Sequence, residues 1–493
     1  MGLPRPAGLV LFALALALAP ATPSRAEAPS SPPAADRAGA RTAAQAALAE
    51  LADWVGRSGG RLGASIVDVG SGETLANSAD HALLNPASNQ KILTAAVALS
   101  RLGPDYRYTT GLYGTLRDGS VEKLVLRGNG DPSFGSDDLQ ALCRELVELG
   151  VRRIEGDVLV DQSRFDARFV PPAFEQQPDE WSSFRAPVSA VALDRNTLAF
   201  DVFAADVGSS ARIVVVPGGF AQLEGAVRTT PTGSGQAVQV ALRPAGTQLV
   251  ASLAGHVAAG TPRLRLIRRI DDPRTFPGHA LVFALRALGV EVRGSVRAGG
   301  SEVAERLVLH RSAPLSTLLY ELGKSSDNFY AEMVLKGLGA EKALPGTSAA
   351  GAELVVEWLR RNGALEPGTV IKNGSGLFDA NRVSAAAITR VLAVAYNDPA
   401  IGPEFLAQLA IGGLDGTLRS RFRGHKQTRA IRAKTGTLAR VVALSGYVLR
   451  PAGAPVAFSL IVSDLPGKQR EARDHIDAAV EKLVAALWSA PRA

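Results

Sequence analysis

Two stretches in which helical periodicity and short strands alternate, one at each end, restrict the architectures open to this 493-residue chain, because a long run of another texture separates them. Residues 43–56 carry apolar side chains at helical spacing, and Ala64–Leu75 reads as a strand, a Gly70-Ser71-Gly72 turn and a second strand. Residues 88–102 are apolar almost all round after the first turn, which predicts a buried helix. From about residue 107 to 305 come short alternating stretches, among them Lys123–Arg127, Asp157–Val160, Arg212–Val216 and Ala237–Leu242, separated by Gly- and Pro-rich turns, with one helix near 136–149. Helical patterns return at 314–323, 328–338, 347–362 and 384–396; strands are expected near 430–437, 441–449 and 455–463, then a helix over 470–488. The spacing predicts an α+β chain in which helix-rich sequence at both ends flanks a β-rich middle from about 107 to 305. At roughly 150 residues per domain, the length agrees with three units.

The N-terminus reads as an export signal over residues 1–26. Arg5 supplies the positive charge, Leu9–Ala19 a short apolar run, and Ser24-Arg25-Ala26 a cleavage site after Ala26. Residues 27–41, rich in Ala, Pro and Ser, read as a linker. No stretch reaches the ~18 apolar residues of a membrane helix, so the mature chain is expected to be exported, periplasmic and without a transmembrane segment. Cys143 is the single cysteine, which rules out an internal disulfide and a cysteine-based metal site. The six histidines lack H-x-x-x-H or H-E-x-x-H spacing, and no G-x-S-x-G elbow occurs. The formal charge of +7 has no concentrated basic run or interleaved aromatics behind it, so the chain does not read as binding nucleic acid.

Three short elements carry chemistry. Of two S-x-x-K spacings, Ser120–Lys123 leads into a strand, where positions i and i+3 point to opposite faces. Ser88-Asn89-Gln90-Lys91 opens the buried helix, where i and i+3 share a face, so the amine can reach the hydroxyl. Burial and the positive end of the helix both disfavour a charge on Lys91 and bring it towards a base useful near neutrality. Ser326-Asp327-Asn328 lies in a polar break between two helical patterns and offers a hydroxyl and an amide. Lys434-Thr435-Gly436-Thr437 lies on a strand, where a lysine can bind a carboxylate, a glycine admits close approach, and free backbone groups accept an extended peptide as an added strand. Alone, each has an ordinary reading as a helix cap with a solvated lysine, a polar cap, or a strand-end turn. Only ten of the 54 basic residues are lysines, which makes their joint occurrence by chance rarer.

In the order S-x-x-K, S-x-N, K-T-G, these elements resemble the set of β-lactamases and penicillin-binding proteins. The 238 residues from Ser88 to Ser326 exceed a compact β-lactamase plan. That spacing is similar to the D-alanyl-D-alanine carboxypeptidase/endopeptidase family, the low-molecular-mass penicillin-binding proteins with inserted domains. Gly128-Asn-Gly-Asp131-Pro132, Gly156–Phe165, Asn373-Gly-Ser-Gly-Leu377 and Gly413–Arg419 match it as well, so the resemblance runs from about residue 43 to 489. It implies a discontinuous penicillin-binding/β-lactamase-like transpeptidase domain, an antiparallel sheet covered by helices, made from residues 42–106 and 306–493 and interrupted by a β-rich insert over 107–305 that divides into two domains, the inner one about 203–270. It also implies cleavage of D-Ala-D-Ala-type bonds in peptidoglycan stem peptides through an acyl-enzyme, acylation by β-lactam antibiotics, and no metal or organic cofactor.

The roles follow from the resemblance. Ser88 is the nucleophile and Lys91 its base; Ser326, with Lys434, passes a proton to the leaving amine. Lys434 and Thr435 hold the terminal carboxylate and Asn328 the substrate amide, and the backbone N–H groups of Ser88 and Thr437 form the oxyanion hole beside Gly436. Asp161 matches a residue that binds the side-chain amine of meso-diaminopimelate. One departure stands out: after Ser-Gly-Leu the family continues Ser-Arg, and here Phe378-Asp379 reverses the charge that would bind the side-chain carboxylate. Arg382 is three residues further on and is the candidate to compensate. Rival readings are a β-lactamase or esterase on the same scaffold, although no E-x-x-L-N triplet occurs in the insert, and a non-catalytic wall-binding protein.

Overall fold

The computed structural model describes Gly2 and residues 34–178, 180–300, 302, 305–424 and 426–489. Apart from Gly2, the export signal expected at 1–26 lies outside the described residues.

One six-stranded antiparallel sheet joins the two ends of the chain. Its order is Ala410–Ile411, Ile431–Leu438, Val441–Val448, Val456–Ser463, Arg61–Asp68, Thr74–Ser78. Arg61–Asp68 pairs along its whole length with Val456–Ser463, from Arg61 opposite Ser463 to Asp68 opposite Val456. Val441–Val448 and Val456–Ser463 are buried at every position, because helices cover both faces of the sheet. Val442, Leu444 and Val448 pack with the Ala34–Arg57 and Gln469–Ser489 helices, and Val441, Ala443 and Tyr447 with Gln90–Leu102, Asn328–Lys342 and Ala385–Asn397. A strand covered on both faces reads as a continuous apolar run, as these do. Side chains cap three of the helix starts: Asp327 accepts from Tyr330 N, Thr347 from Ala350 N and Ser384 from Ala387 N.

The first helix corrects the sequence reading. It begins at Ala34, not at 43, so residues 34–41 are helical rather than linker; 27–33 lie outside the described residues. Alanine is the strongest helix former, and Ala40, Ala44, Ala47, Leu48, Leu51 and Val55 form one buried stripe against the C-terminal helix. Composition alone had hidden that stripe among Pro and Ser.

Between the two halves, Thr109–Tyr113, Leu124–Gly128, Val158–Asp161, Val296–Ala298 and Arg306–Arg311 form a five-stranded sheet, in which Arg306–Arg311 pairs antiparallel with Thr109–Tyr113. Strands from 197 to 269 make two three-stranded sheets, one centred on Thr197–Phe203 and the other on Gln248–Ala258. The apolar side chains of all three sheets meet in one cluster that includes Leu126, Val160, Phe200, Val227 and Leu253. Cys143 is buried there, its thiol pushed up to about 12 by desolvation. A second helix, Phe276–Ala287, was not expected; its Pro277-Gly278 reads as a turn in sequence but sits at the helix start, where proline is tolerated. Ser120 Oγ accepts from Arg153, and Lys123 is exposed, so the second S-x-x-K spacing forms no pair.

Candidate active site

Ser88 lies in a one-turn 3₁₀ helix, Ala87–Asn89, that runs directly into Gln90–Leu102. The turn is held from three sides. Asn85 Oδ1 accepts from Ala87 N at 2.9 Å, and Asn89 Nδ2 donates at 2.7 Å to Ser445 Oγ in the sheet. Gly436 presses on it from the strand: a Cβ there would stand 3.0 Å from Pro86 O, 3.1 Å from Ala87 Cβ and 3.2 Å from Ser88 N. Only glycine lets the strand come this close to the Ser88 N–H. Gly376, at φ +75, is equally constrained, since a Cβ would meet Ala87 O at 1.8 Å.

The Ser88 hydroxyl is half-buried, whereas Lys91 is wholly buried. Lys91 Nζ lies 3.0 Å from Ser88 Oγ, 2.8 Å from Asn328 Oδ1 and 2.8 Å from the Ser375 carbonyl. Burial lowers its pKa to about 7, against the opposing charges of Glu332 and Asp327. In the neutral form two N–H groups satisfy Asn328 and Ser375, and the lone pair faces the Ser88 hydroxyl. Glu332 is itself fully buried; its carboxylate accepts from Gly374 N at 3.1 Å and Ser375 N at 2.8 Å, fixing the carbonyl that Lys91 uses. Desolvation raises its pKa.

On the opposite wall, buried Lys434 donates to Ser326 Oγ at 2.7 Å and to the Thr435 carbonyl at 2.8 Å. Burial, followed by the charge of Lys91, pushes its pKa well below the usual lysine range. Ser326 adopts φ +59, a strained backbone for a residue with a side chain. The loop that holds it is anchored at Asp327, whose Oδ1 caps the next helix and whose Oδ2 pairs with Arg195 of the insert at 2.8 Å. Asn328 Nδ2 donates to the Phe184 carbonyl at 3.2 Å, also from the insert. Thr435 Oγ1 donates to Thr417 Oγ1 at 2.9 Å. Ala410–Ile411 covers the outer edge of Ile431–Leu438 only at Ala433 and Arg432, so strand pairing on that side ends before Lys434. Thr437, farther along, is exposed.

Ser88, Lys91, Ser326, Asn328, Lys434, Thr435 and Gly436 are thus brought together. Asp161 lies outside this network. It is 4% exposed, with Oδ2 on Arg127 Nε at 2.7 Å and Oδ1 on Ser163 N at 3.0 Å, contacts that hold its pKa low against burial. Arg382 is also paired: its guanidinium is bidentate to Asp379 at 2.6 and 3.0 Å, lowering the Asp379 pKa. Among the described residues no group of three or more His, Cys, Asp or Glu is arranged to hold a metal, and no helix is long and apolar enough to cross a membrane.

The sequence did not single out Glu332, the Ser375 carbonyl, Arg195 or Thr417. Ser375 lies in a stretch that resembles the family, but its backbone role has no side-chain signature. Glu332 is four residues after Asn328, hence on the same helical face, and that spacing was the available clue.

Comparison with known proteins places the family and the fold. The chain is 34% identical over 452 residues to a D-alanyl-D-alanine carboxypeptidase of Actinomadura sp. (strain R39), covering 87% of this chain and 83% of that protein. Its fold is similar to the crystal structure of penicillin-binding protein 4 from Haemophilus influenzae, with a TM-score of 0.74 at 23% identity over 89% of this chain and 99% of the other. A structure of that same protein complexed with a β-lactam gives a TM-score of 0.69, at 23% identity and the same coverage. The D-Ala-D-Ala carboxypeptidase 3 (S13) family matches residues 44–486, and this chain belongs to it.

Proposed function

We propose that this protein is a serine D-Ala-D-Ala carboxypeptidase or endopeptidase that acts on peptidoglycan stem peptides. The observation that carries the reading is the buried amine of Lys91, 3.0 Å from Ser88 Oγ with its other two contacts on Asn328 and Ser375. Ser88 Oγ attacks the scissile carbonyl and gives its proton to neutral Lys91. The oxyanion that forms faces the N–H groups of Ser88 and Thr437. As the C–N bond breaks, the leaving amine takes a proton from the Ser326 hydroxyl, which is replaced through Lys434 by the proton that Lys91 took from Ser88, so Lys91 is neutral again. Thr435 and Lys434 hold the terminal carboxylate, and the strand edge beyond Ala433 receives the extended peptide. Water then hydrolyses the Ser88 ester, with Lys91 as base. Asn328 Nδ2, now on the Phe184 carbonyl, is the donor for the substrate amide.

The family assignment and the β-lactam complex of the Haemophilus protein support acylation by penicillins. The same reading includes export through residues 1–26 with cleavage after Ala26, a periplasmic location, and an insert over 107–305 in a catalytic domain made from 42–106 and 306–493. The pairing of Arg61–Asp68 with Val456–Ser463 supports that division. Labelling with a fluorescent penicillin tests the chemistry: wild type takes the label and Ser88→Ala does not, and an unlabelled wild type overturns the acyl-enzyme. Rapid release of the label as hydrolysed penicillin would identify a β-lactamase instead.

A further inference from the structure

Between Asp415 and Asp464 the chain carries nine lysines and arginines and no Asp or Glu. Where they are densest, at Arg419, Arg421, Arg423, Lys426, Arg429 and Arg432, they stand two or three residues apart, so no run of them stands out in the sequence. Folding gathers them. Gly412 N donates to the Ile431 carbonyl at 3.1 Å and Gly413 N to the Leu418 carbonyl at 3.1 Å. Arg423 Nε donates to the Arg419 carbonyl at 2.9 Å. A Cβ on Gly413 would stand 2.8 Å from Thr428 Oγ1 and 3.6 Å from the Arg421 carbonyl. Residues 412–415, 418–423 and 428–432 are thus packed as one surface. Phe422, 5% exposed, anchors it from beneath in the core shared by the sheet and the two terminal helices. Thr417, in the same segment, is hydrogen-bonded to Thr435, so this surface adjoins the cleft.

The cations differ in their pairing. Arg421 is bound to Asp477, and farther along the chain Arg440 faces Asp464 at 3.6 Å and Arg450 holds Asp68 at 2.7 Å. Arg419, Arg423, Lys426 and Arg429 are exposed and, among the described residues, have no carboxylate within ion-pair reach. Arg432 is half-buried; burial, followed by the charge of Arg429, pushes its pKa below the usual arginine range against the opposing charge of Asp415. Like charges held this close repel, and an anion placed among them relieves the repulsion. Leu414, at the turn of the same surface, is 45% exposed. A dissolved anionic polymer draws on the cations alone. Cations beside an exposed leucine match an interface that is anionic outside and apolar within.

We propose that this surface docks the protein on an anionic lipid bilayer, with Arg423, Lys426 and Arg429 against the headgroup phosphates and Leu414 in the apolar boundary below them. The contact is peripheral, does not depend on the acyl-enzyme chemistry, and weakens with salt because its charges are exposed. The test is co-sedimentation of the chain from Glu27 onward, without the apolar run Leu9–Ala19, with two kinds of vesicle at low and high salt. One is phosphatidylcholine alone, the other equal parts phosphatidylcholine and phosphatidylglycerol. Wild type is expected to bind the mixed vesicles at low salt, to release them at high salt, and to leave phosphatidylcholine alone unbound. The triple variant Arg423→Gln/Lys426→Gln/Arg429→Gln weakens binding by about a hundredfold, and Leu414→Ser by about tenfold. Arg423→Lys/Arg429→Lys keeps the charges and the binding. All these side chains are exposed, so the variants fold and keep the wild-type Tm. No binding to mixed vesicles, equal binding to both kinds, or unchanged binding by the triple variant overturns the proposal. Loss in the triple variant with Leu414→Ser binding as wild type also overturns it, because that result assigns the surface to an anionic polymer instead of a bilayer.

Discussion

Lys91 is suited to act as a base because of where it is held. With its pKa lowered to about 7 by burial, a large share of it is neutral near neutral pH, where a solvated lysine would be almost wholly charged. The rate of penicillin acylation is therefore expected to rise with pH through an inflection near 7 and level off above it, since deprotonation creates the active form. The charge of Glu332 raises the Lys91 pKa, so Glu332→Gln moves the inflection to lower pH; stopped-flow acylation across pH checks both, and an unmoved inflection would count against the coupling. Lys91→Arg keeps a cation but loses the base and is expected to slow acylation by about 10²–10⁴-fold. This much of the site was legible: Ser88 and Lys91 are three residues apart where a 3₁₀ turn runs directly into a helix, so local geometry alone brings them together. Glu332 was not, because it reaches Lys91 through the backbone of Gly374 and Ser375, and nothing local links those residues.

The Ser326 loop shows how one segment positions another. Arg195 pairs with Asp327 at 2.8 Å and stands 5.1 Å over the Tyr330 ring, clamping a loop whose serine is backbone-strained. The arginine is partly exposed, and such a pair contributes at most about 1 kcal/mol to stability. Arg195→Ala is therefore expected to leave Tm nearly unchanged while slowing acylation about tenfold through Ser326 and Asn328, and a large Tm loss with normal acylation would refute the positioning role. The strand bearing Lys434 has a comparable dependence on shape. Gly436→Ala places a Cβ at 3.0–3.2 Å from Pro86 O, Ala87 Cβ and Ser88 N, forcing the nucleophile turn away from the strand. Penicillin labelling of this variant should fall by at least about tenfold, in proportion to the displaced Ser88 N–H. The K-T-G spelling identified the strand, but only the packed structure shows that its glycine is needed for contact with the serine turn.

At the scale of the molecule, the groups of the candidate site stay together because segments hundreds of residues apart share a sheet. Leu51 is buried between the first helix, the sheet and the last helix; Leu51→Ala is expected to cost about 2–5 kcal/mol by leaving a cavity. A denaturant titration would measure that loss, with the labelling rate of the folded fraction unchanged. The strands and helices near the C-terminus were readable from periodicity, since a two-sided strand and an amphipathic helix impose distinct spacings. The start of the first helix and the helix at Phe276–Ala287 were not, because Pro and Gly near a helix terminus look like a turn in sequence. By itself the sequence determined the chemistry, since the serine–lysine pair, the S-x-N loop and the K-T-G strand each follow from residues close together in the chain. The tertiary structure decided how charges are paired: it set Asp161 against Arg127 and Arg382 against Asp379. Ion pairing depends on contacts between distant segments, and burial sets its strength; residue order specifies neither on its own.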